Sequence, residues 1–139
     1  MPTSRERVEK MTALINLQPG KKVVDLGAGD GRLVIAMAKL GIESHGYEVN
    51  PFLVARARKE ITKAGLDGKA FMHCKNLWRV NVGDFDGVIL YAMKHMMKKL
   101  ENKLTKELKP GSVVVSNYFA FPNWKAKVAE DNIYLYIKE

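Results

Sequence analysis

The sequence predicts an α/β fold: a doubly wound, mostly parallel sheet that ends in an antiparallel C-terminal hairpin. Three observations predict it. Short β-branched runs alternate with segments of helical period from residue 21 to residue 116. A glycine-rich loop, Val23-Val24-Asp25-Leu26-Gly27-Ala28-Gly29-Asp30-Gly31-Arg32, joins the first such run to the helix behind it. Beyond Trp124 the period changes to two, and Asp131-Asn132 splits the tail into two halves that read as a hairpin. In such sheets helices cover both faces. Ligands sit at the carboxyl ends of the strands where strand order reverses, here the end of the first strand.

Each element has its own signal. Thr3 followed by Glu6 has capping-box spacing, and Val8, Met11, Leu14 and Ile15 recur at helical intervals, so a first helix is expected from Ser4 to Leu17, before Pro19-Gly20. Lys21 to Leu26 is the first strand, and Gly31 to Leu40 a helix that Gly41 ends. Glu43 to Val49 is the second strand. Asn50 then caps a helix with Pro51 at its first position and Gly65 just past its end. Lys69 to Cys74 and Asp86 to Tyr91 are the third and fourth strands, with a turn-like stretch at Gly83-Asp84 before the latter. Met93, Met97, Leu100, Leu104 and Leu108 mark the buried stripe of a helix that Pro110-Gly111 stops, and Ser112 to Ser116 is the fifth strand. Lys125 to Glu130 and Ile133 to Lys138 form the hairpin.

The 139 residues, 47% apolar, are expected to make one domain over 1–139 with one core and one site. Neither a run of 18 apolar residues nor a signal-peptide pattern is present, so a cytosolic protein is expected. Cys74 alone makes neither an internal disulfide nor a zinc site, and its place at a strand end suggests a small buried hydrophobe. His45 and His73 have no partner at ligand spacing, and no metal is expected. The net charge of +8 is concentrated in Lys94 to Lys109 and reads first as a solvated helix face, with proximity to nucleic acid as the other reading. His95 reads as a surface residue there.

The glycine-rich loop carries the chemistry. It fails the dinucleotide fingerprint, because Arg32 stands three places after Gly29 where a glycine is required. It also places Asp25 and Asp30 where a pyrophosphate would be repelled, whereas the ammonium and sulfonium of S-adenosylmethionine would be attracted. Glu48 ends the second strand, at the distance where an acid accepts both hydroxyls of a ribose. Asn76, past the third strand, is placed to accept from an adenine amino group while the Leu77 backbone addresses a ring nitrogen; as a bare turn residue it would need no ligand. Trp78 shelters the adenine edge or covers the core.

These segments resemble the class I methyltransferases, whose first motif is VVDLGAGDGR nearly as it stands and whose ribose-binding acid corresponds to Glu48. More narrowly, YEVNP from Tyr47 to Pro51, NLW from Asn76 to Trp78 and the run from Leu100 to Trp124 resemble a family of protein lysine methyltransferases. That family includes mitochondrial enzymes acting on the c-ring protein of ATP synthase and on the adenine nucleotide translocase, and small archaeal enzymes of broad specificity. The resemblance implies a Rossmann-like sheet of order 3-2-1-4-5-7-6 and S-adenosyl-L-methionine held by Thr3, Asp25, Leu26, Gly27, Ala28, Gly29, Asp30, Gly31, Glu48, Val49, Asn76, Leu77 and Tyr91. It also implies a protein substrate with an accessible lysine. The chain departs from the mitochondrial members in having Asn76 for their aspartate, in lacking an N-terminal membrane segment, and in keeping only Pro2-Thr3-Ser4 of a stretch that packs on the cofactor.

Methyl transfer from a sulfonium is an in-line displacement, which asks for alignment and exclusion of water rather than a nucleophilic residue of the protein. Deprotonating lysine at pH 7 costs about 4.6 kcal/mol from a pKa near 10.4. A dry channel beside a cation lowers that cost, so no strong base is needed. The acceptor pocket is expected over the fourth and fifth strands, at Tyr91 and at Ser116-Asn117-Tyr118-Phe119, with Tyr91, Asn117 and Tyr118 as the candidate catalytic residues. Phe119, Phe121 and Trp124 are either aromatic walls for a cation or ordinary core. Two rivals remain. One is methylation of nucleic acid or a small molecule, although Leu90-Tyr91-Ala92-Met93 replaces the Pro-Pro-Tyr motif of base-amino methylation; the other is a cofactor-binding module without turnover.

Overall fold

A computed structural model describes residues 3–139; Met1 and Pro2 lie outside the described residues, and with them part of the Pro2-Thr3-Ser4 stretch. In chain order the elements are α1 (Arg5–Ile15), β1 (Lys22–Leu26), α2 (Arg32–Lys39), β2 (Glu43–Tyr47), α3 (Pro51–Lys63), β3 (Ala70–His73), β4 (Gly87–Leu90), α4 (Met97–Glu107), β5 (Val113–Asn117), β6 (Val128–Glu130) and β7 (Ile133–Ile137). The strands form one sheet of order β3-β2-β1-β4-β5-β7-β6. β3, β2, β1, β4 and β5 run parallel, and β7 enters antiparallel between β5 and β6. β1 lies between β2 and β4, so strand order reverses where the glycine-rich loop leaves the sheet. This is the architecture expected from the sequence.

Apolar side chains decide the layers. Val8, Met11 and Ile15 of α1 and Leu33 and Met37 of α2 pack with Val23, Ile89, Val115 and Ile133 on one face. Val54, Ala57 and Ile61 of α3 extend that layer over Ala70 and Met72. On the other face Met97, Leu100, Leu104 and Leu108 cover Val24, Leu26, Val88, Leu90 and Val114. Between β3 and β4 the chain makes two 3-10 turns, capped by Asn76 and Asn81, whose side chains accept from the Trp78 and Gly83 amides at 2.8 Å.

Several local expectations are corrected. The cap of α1 is Ser4, not Thr3: its hydroxyl accepts from Arg7 N, so the third helical position holds Arg7 and no reciprocal glutamate exists. α1 ends at Asn16 in the left-handed region (φ 46), which asparagine tolerates, before Leu17 is reached. Met93 is 60% exposed and extended, and a 3-10 turn over Lys94–Met96 precedes α4, so the buried stripe starts at Met97. Cys74 is exposed, because β3 stops at His73. His95 is exposed, as expected.

Phe121 and Trp124 belong to the core. They stack at 5.6 Å and both pack against Tyr136, whose hydroxyl accepts from Phe121 N at 2.9 Å. Glu101, on the buried side of α4, fastens their loop by accepting from Asn123 N and Trp124 N, each at 2.7 Å, and from Asn123 Nδ2. Removing those oxygens strands two backbone donors in a half-buried place. Glu101→Ala is expected to cost roughly 3 kcal/mol on that ground, read as a lower urea midpoint with unchanged slope; a midpoint equal to the parent's would show that water replaces the carboxylate.

Candidate active site

The loop after β1 is shaped by its glycines and anchored by β2. Gly27 and Gly31 take φ of 84° and 81°, angles that side chains resist. The amides of Gly27 and Ala28 both donate to Tyr47 O, at 2.9 and 3.0 Å, and Gly29 N donates to Glu48 Oε1 at 2.9 Å. Glu48 Oε2 accepts from Asn50 N at 3.0 Å, so the acid expected to meet a ribose also ties the loop to the start of α3. Each carboxylate oxygen keeps a lone pair for a further donor.

Two cavities flank this loop and share Gly27. One, of about 350 Å³, is lined by Thr3, Asp25, Gly27, Ala28, Gly29, Asp30, Leu53, Arg56 and Tyr91 among others. The other, of about 210 Å³, is lined by Tyr47, Glu48, Val49, Asn76, Leu77 and Trp78 among others. Of the residues expected to hold a cofactor, these two spaces gather Thr3, Asp25, Gly27, Ala28, Gly29, Asp30, Glu48, Val49, Asn76, Leu77 and Tyr91. Leu26 is 1% exposed with its side chain in the core, and Gly31 serves as the N-cap of α2. Asn76 Oδ1 caps the Trp78 amide, and Trp78 both lines the smaller cavity and packs on the core, with Lys99 Nζ 4.3 Å over its ring.

The two aspartates of the loop differ. Asp30 is engaged by Arg32, whose Nε and Nη2 donate to it at 3.1 and 2.6 Å, and this holds its carboxyl below the usual range. Arg32 Nη1 also donates to Thr3 O at 2.8 Å, closing the N-terminal segment over the cleft. Asp25 is buried with no such cation among the described residues. Burial first, then the charges of Glu48 and Asp30, push its carboxyl up to about 7. A buried acid raised in this way fits a cationic ligand, which would favour its charged form. The expected attraction therefore falls mainly on Asp25, because Arg32 offsets the charge of Asp30.

Of the residues expected to meet the acceptor, the structure brings Tyr91 and Tyr118 together, with ring centroids 5.4 Å apart and both rings part-exposed. Asn117 is turned away from solvent: it is 1% exposed, and its Oδ1 accepts from Arg7 Nε and Nη2 at 3.0 and 2.6 Å. Ser116 is buried and its hydroxyl donates to Phe119 O, while Phe119 packs against the core. Arg7 carries no signal in the sequence because its partners lie 110 or more residues away. His45 and His73, unpaired by sequence spacing, meet through the β2–β3 register: His45 Nδ1 lies 2.9 Å from His73 Nε2, and His45 Nε2 lies 2.8 Å from Glu43 Oε2. Desolvation first, then His45, Lys75 and Arg58, hold the His73 pKa below its ordinary value.

The family model of the ANTKMT methyltransferase domain matches residues 25–128, which include the glycine-rich loop, Glu48 and the tyrosine pair. The chain belongs to that family. This methyltransferase domain is 32% identical to a protein-lysine N-methyltransferase of Saccharolobus islandicus, over 99% of this chain and 91% of that one. It is 40% identical to the adenine nucleotide translocase lysine N-methyltransferase of Mus musculus, over 88% of this chain and 53% of that one. The chain spans about half the length of that relative and of several others like it. Among solved structures, an RNA methyltransferase from Salinibacter ruber in complex with S-adenosyl-L-homocysteine superposes with a TM-score of 0.91 at 31% identity, covering 100% of this chain and 95% of that one.

Proposed function

We propose that this methyltransferase domain methylates lysine side chains of proteins, with S-adenosylmethionine as cofactor, acting as a single catalytic unit over 1–139. The observation that carries the proposal is the pair of part-exposed tyrosines, Tyr91 and Tyr118, beside a cleft whose floor is the buried, cation-seeking Asp25. The bound cofactor supplies a methyl group on a sulfonium. Asp25 and the Thr3 segment would hold its amino-acid end, Glu48 its ribose, and Val49, Asn76 and Leu77 its adenine.

On the other side Tyr91 and Tyr118 present aromatic faces that suit the stem and cationic end of a lysine. With a lysine seated between them the part-exposed rings would displace water from its amine, which would weaken the charged form. Line-up of the neutral amine, rather than proton abstraction by a strong base, is then the protein's contribution. The relatives named for protein lysine support this acceptor, as does the resemblance in the run from Leu100 to Trp124. No described helix is long and apolar enough to cross a membrane. A reducing, cytosolic setting fits a lone exposed Cys74.

RNA is the second reading, favoured by the likeness to the Salinibacter ruber RNA methyltransferase and by the net charge of +8. Incubation with methyl-labelled cofactor and a host lysate, with and without nuclease, separates the two. Label in protein that survives nuclease and hydrolyses to methyl-lysine is the expected result. Label that disappears with nuclease would move the acceptor to nucleic acid, and no label despite cofactor binding would leave a binding module.

A further inference from the structure

We infer that Arg7 is a positioning residue for the acceptor side of the cleft. A single guanidinium on the first turn of α1 holds the backbone and ring of Tyr118 against Tyr91. The inference rests on the reading that Tyr91 and Tyr118 receive the methyl acceptor.

Tyr118 stands at φ 77, in the left-handed region. A bulky residue stays there only where its surroundings over-determine it, and such residues concentrate at functional sites. Three restraints converge on it. Its amide donates to Asn132 O at 2.7 Å, in a turn whose Asp131 and Asn132 are themselves left-handed. Its neighbour Asn117 is anchored by Arg7 Nε and Nη2. Its ring lies under the Arg7 guanidinium, with Cζ 4.1 Å from the centroid.

Arg7 also donates through Nη1 to Asp131 O at 2.9 Å and through Nη2 to Asn132 O at 3.4 Å, so both sides of Tyr118 are tied to one planar group. Lys10 pairs with Asp131 one turn further along α1. A tie between helix and sheet needs only Asn117 and the turn carbonyls. The stacking on the part-exposed ring that neighbours Tyr91 is additional to that. The fork of N–H donors in arginine satisfies this arrangement, and an ammonium does not. Because Thr3, four residues earlier, meets Arg32 at the cofactor side, the same short segment braces both walls of the cleft.

The test compares Arg7→Met and Arg7→Lys with the parent protein in two independent readouts. In hydrogen exchange, the Tyr118 amide should lose at least tenfold protection in Arg7→Met while Val114 and Val115 keep theirs. In kinetics with a lysine peptide, kcat should fall at least tenfold while cofactor Kd stays within twofold, and Arg7→Lys should recover only part of the loss. A folded Arg7→Met protein with parental Tyr118 exchange, or with parental acceptor kinetics, would overturn the inference.

If Arg7→Met fails to fold, Arg7→Gln carries the same question, since its amide keeps an N–H donor for Asn117 or a turn carbonyl while removing the guanidinium over the Tyr118 ring. It should lose kcat at least tenfold without losing cofactor affinity; parental turnover with parental Tyr118 exchange would overturn the inference. If the parent itself labels no lysine, the functional reading fails by itself, and the exchange of Tyr118 still decides whether Arg7 positions it.

Discussion

Asp25→Ala is expected to weaken S-adenosylmethionine binding by about 100-fold, or ~2.7 kcal/mol, and the parent's own affinity should climb as pH rises toward 7. The physical reason is that Asp25 lines the cleft as a buried acid. Its carboxyl is pushed up from 3.8 to about 7 by burial and by Glu48 and Asp30. Below pH 7 a cationic ligand must therefore displace a proton, and affinity should fall about tenfold per pH unit. Above 7 it should level off. Titration calorimetry at pH 6 in two buffers of different ionisation enthalpy should report close to one proton released.

The same shift has a stability consequence of fixed sign. The folded pKa lies above the unfolded value, so the protonated group stabilises the unliganded fold fully below about pH 4, and that contribution is lost as pH rises to about 7. Its size is on the order of 4 kcal/mol, three pKa units at about 1.36 each. Asp25→Asn, which is neutral at every pH, should therefore melt higher than the unliganded parent at pH 8 and gain little from added cofactor. Glu48→Ala should lose binding for a different reason, because the amides of Gly29 and Asn50 lose their shared acceptor. Unchanged calorimetric affinity in both Asp25→Ala and Glu48→Ala would falsify the site.

The second large effect is expected at Gly46, in β2 opposite Asp25 of β1. A Cβ there would lie 2.7 Å from Ala28 Cβ and Met72 Sδ and 2.8 Å from Val34 Cγ2. Met72 can swing its thioether, but Ala28 Cβ is fixed to its backbone and Val34 is buried in the same cluster, so two of the three contacts hold. Gly46→Val should cost about 3 kcal/mol by overpacking, roughly 10 °C in Tm for a chain of this size. Because Ala28 belongs to the glycine-rich loop proposed to hold the cofactor, the surviving folded fraction should also bind cofactor more weakly. Thermal melts with and without cofactor check both parts: a Tm within about 2 °C of the parent, less than the shift expected per kcal/mol, would mean that α2 moves to accept the branch.

Elements with strong local signals were legible. Asn50-Pro51 at the head of α3 and the Asp131-Asn132 turn appear where expected, with Asn50 Oδ1 accepting from Phe52 N and Leu53 N. The glycine-rich loop was legible because its glycines, its acids and its neighbouring strand are contiguous in sequence. Errors came where two local signals competed. Thr3 and Ser4 both cap well, and the helix start chose the second. Met93 continued the apolar spacing of α4, but the chain at the end of β4 had first to turn out of the sheet.

By itself the sequence determined the alternation of strands and helices, the loop at residues 23–32 and the acids at its rim, since each depends on residues a few places apart. Tertiary structure alone decided the rest. It separated Asp25 from Asp30 by burying one and pairing the other with Arg32, and it sent Phe121 and Trp124 into the core while leaving Tyr118 part-exposed beside Tyr91. It also brought Arg7 onto Asn117 and Tyr118. Burial and long-range hydrogen bonding depend on how layers pack across the whole chain, and no local pattern encodes which of two similar side chains will face inward.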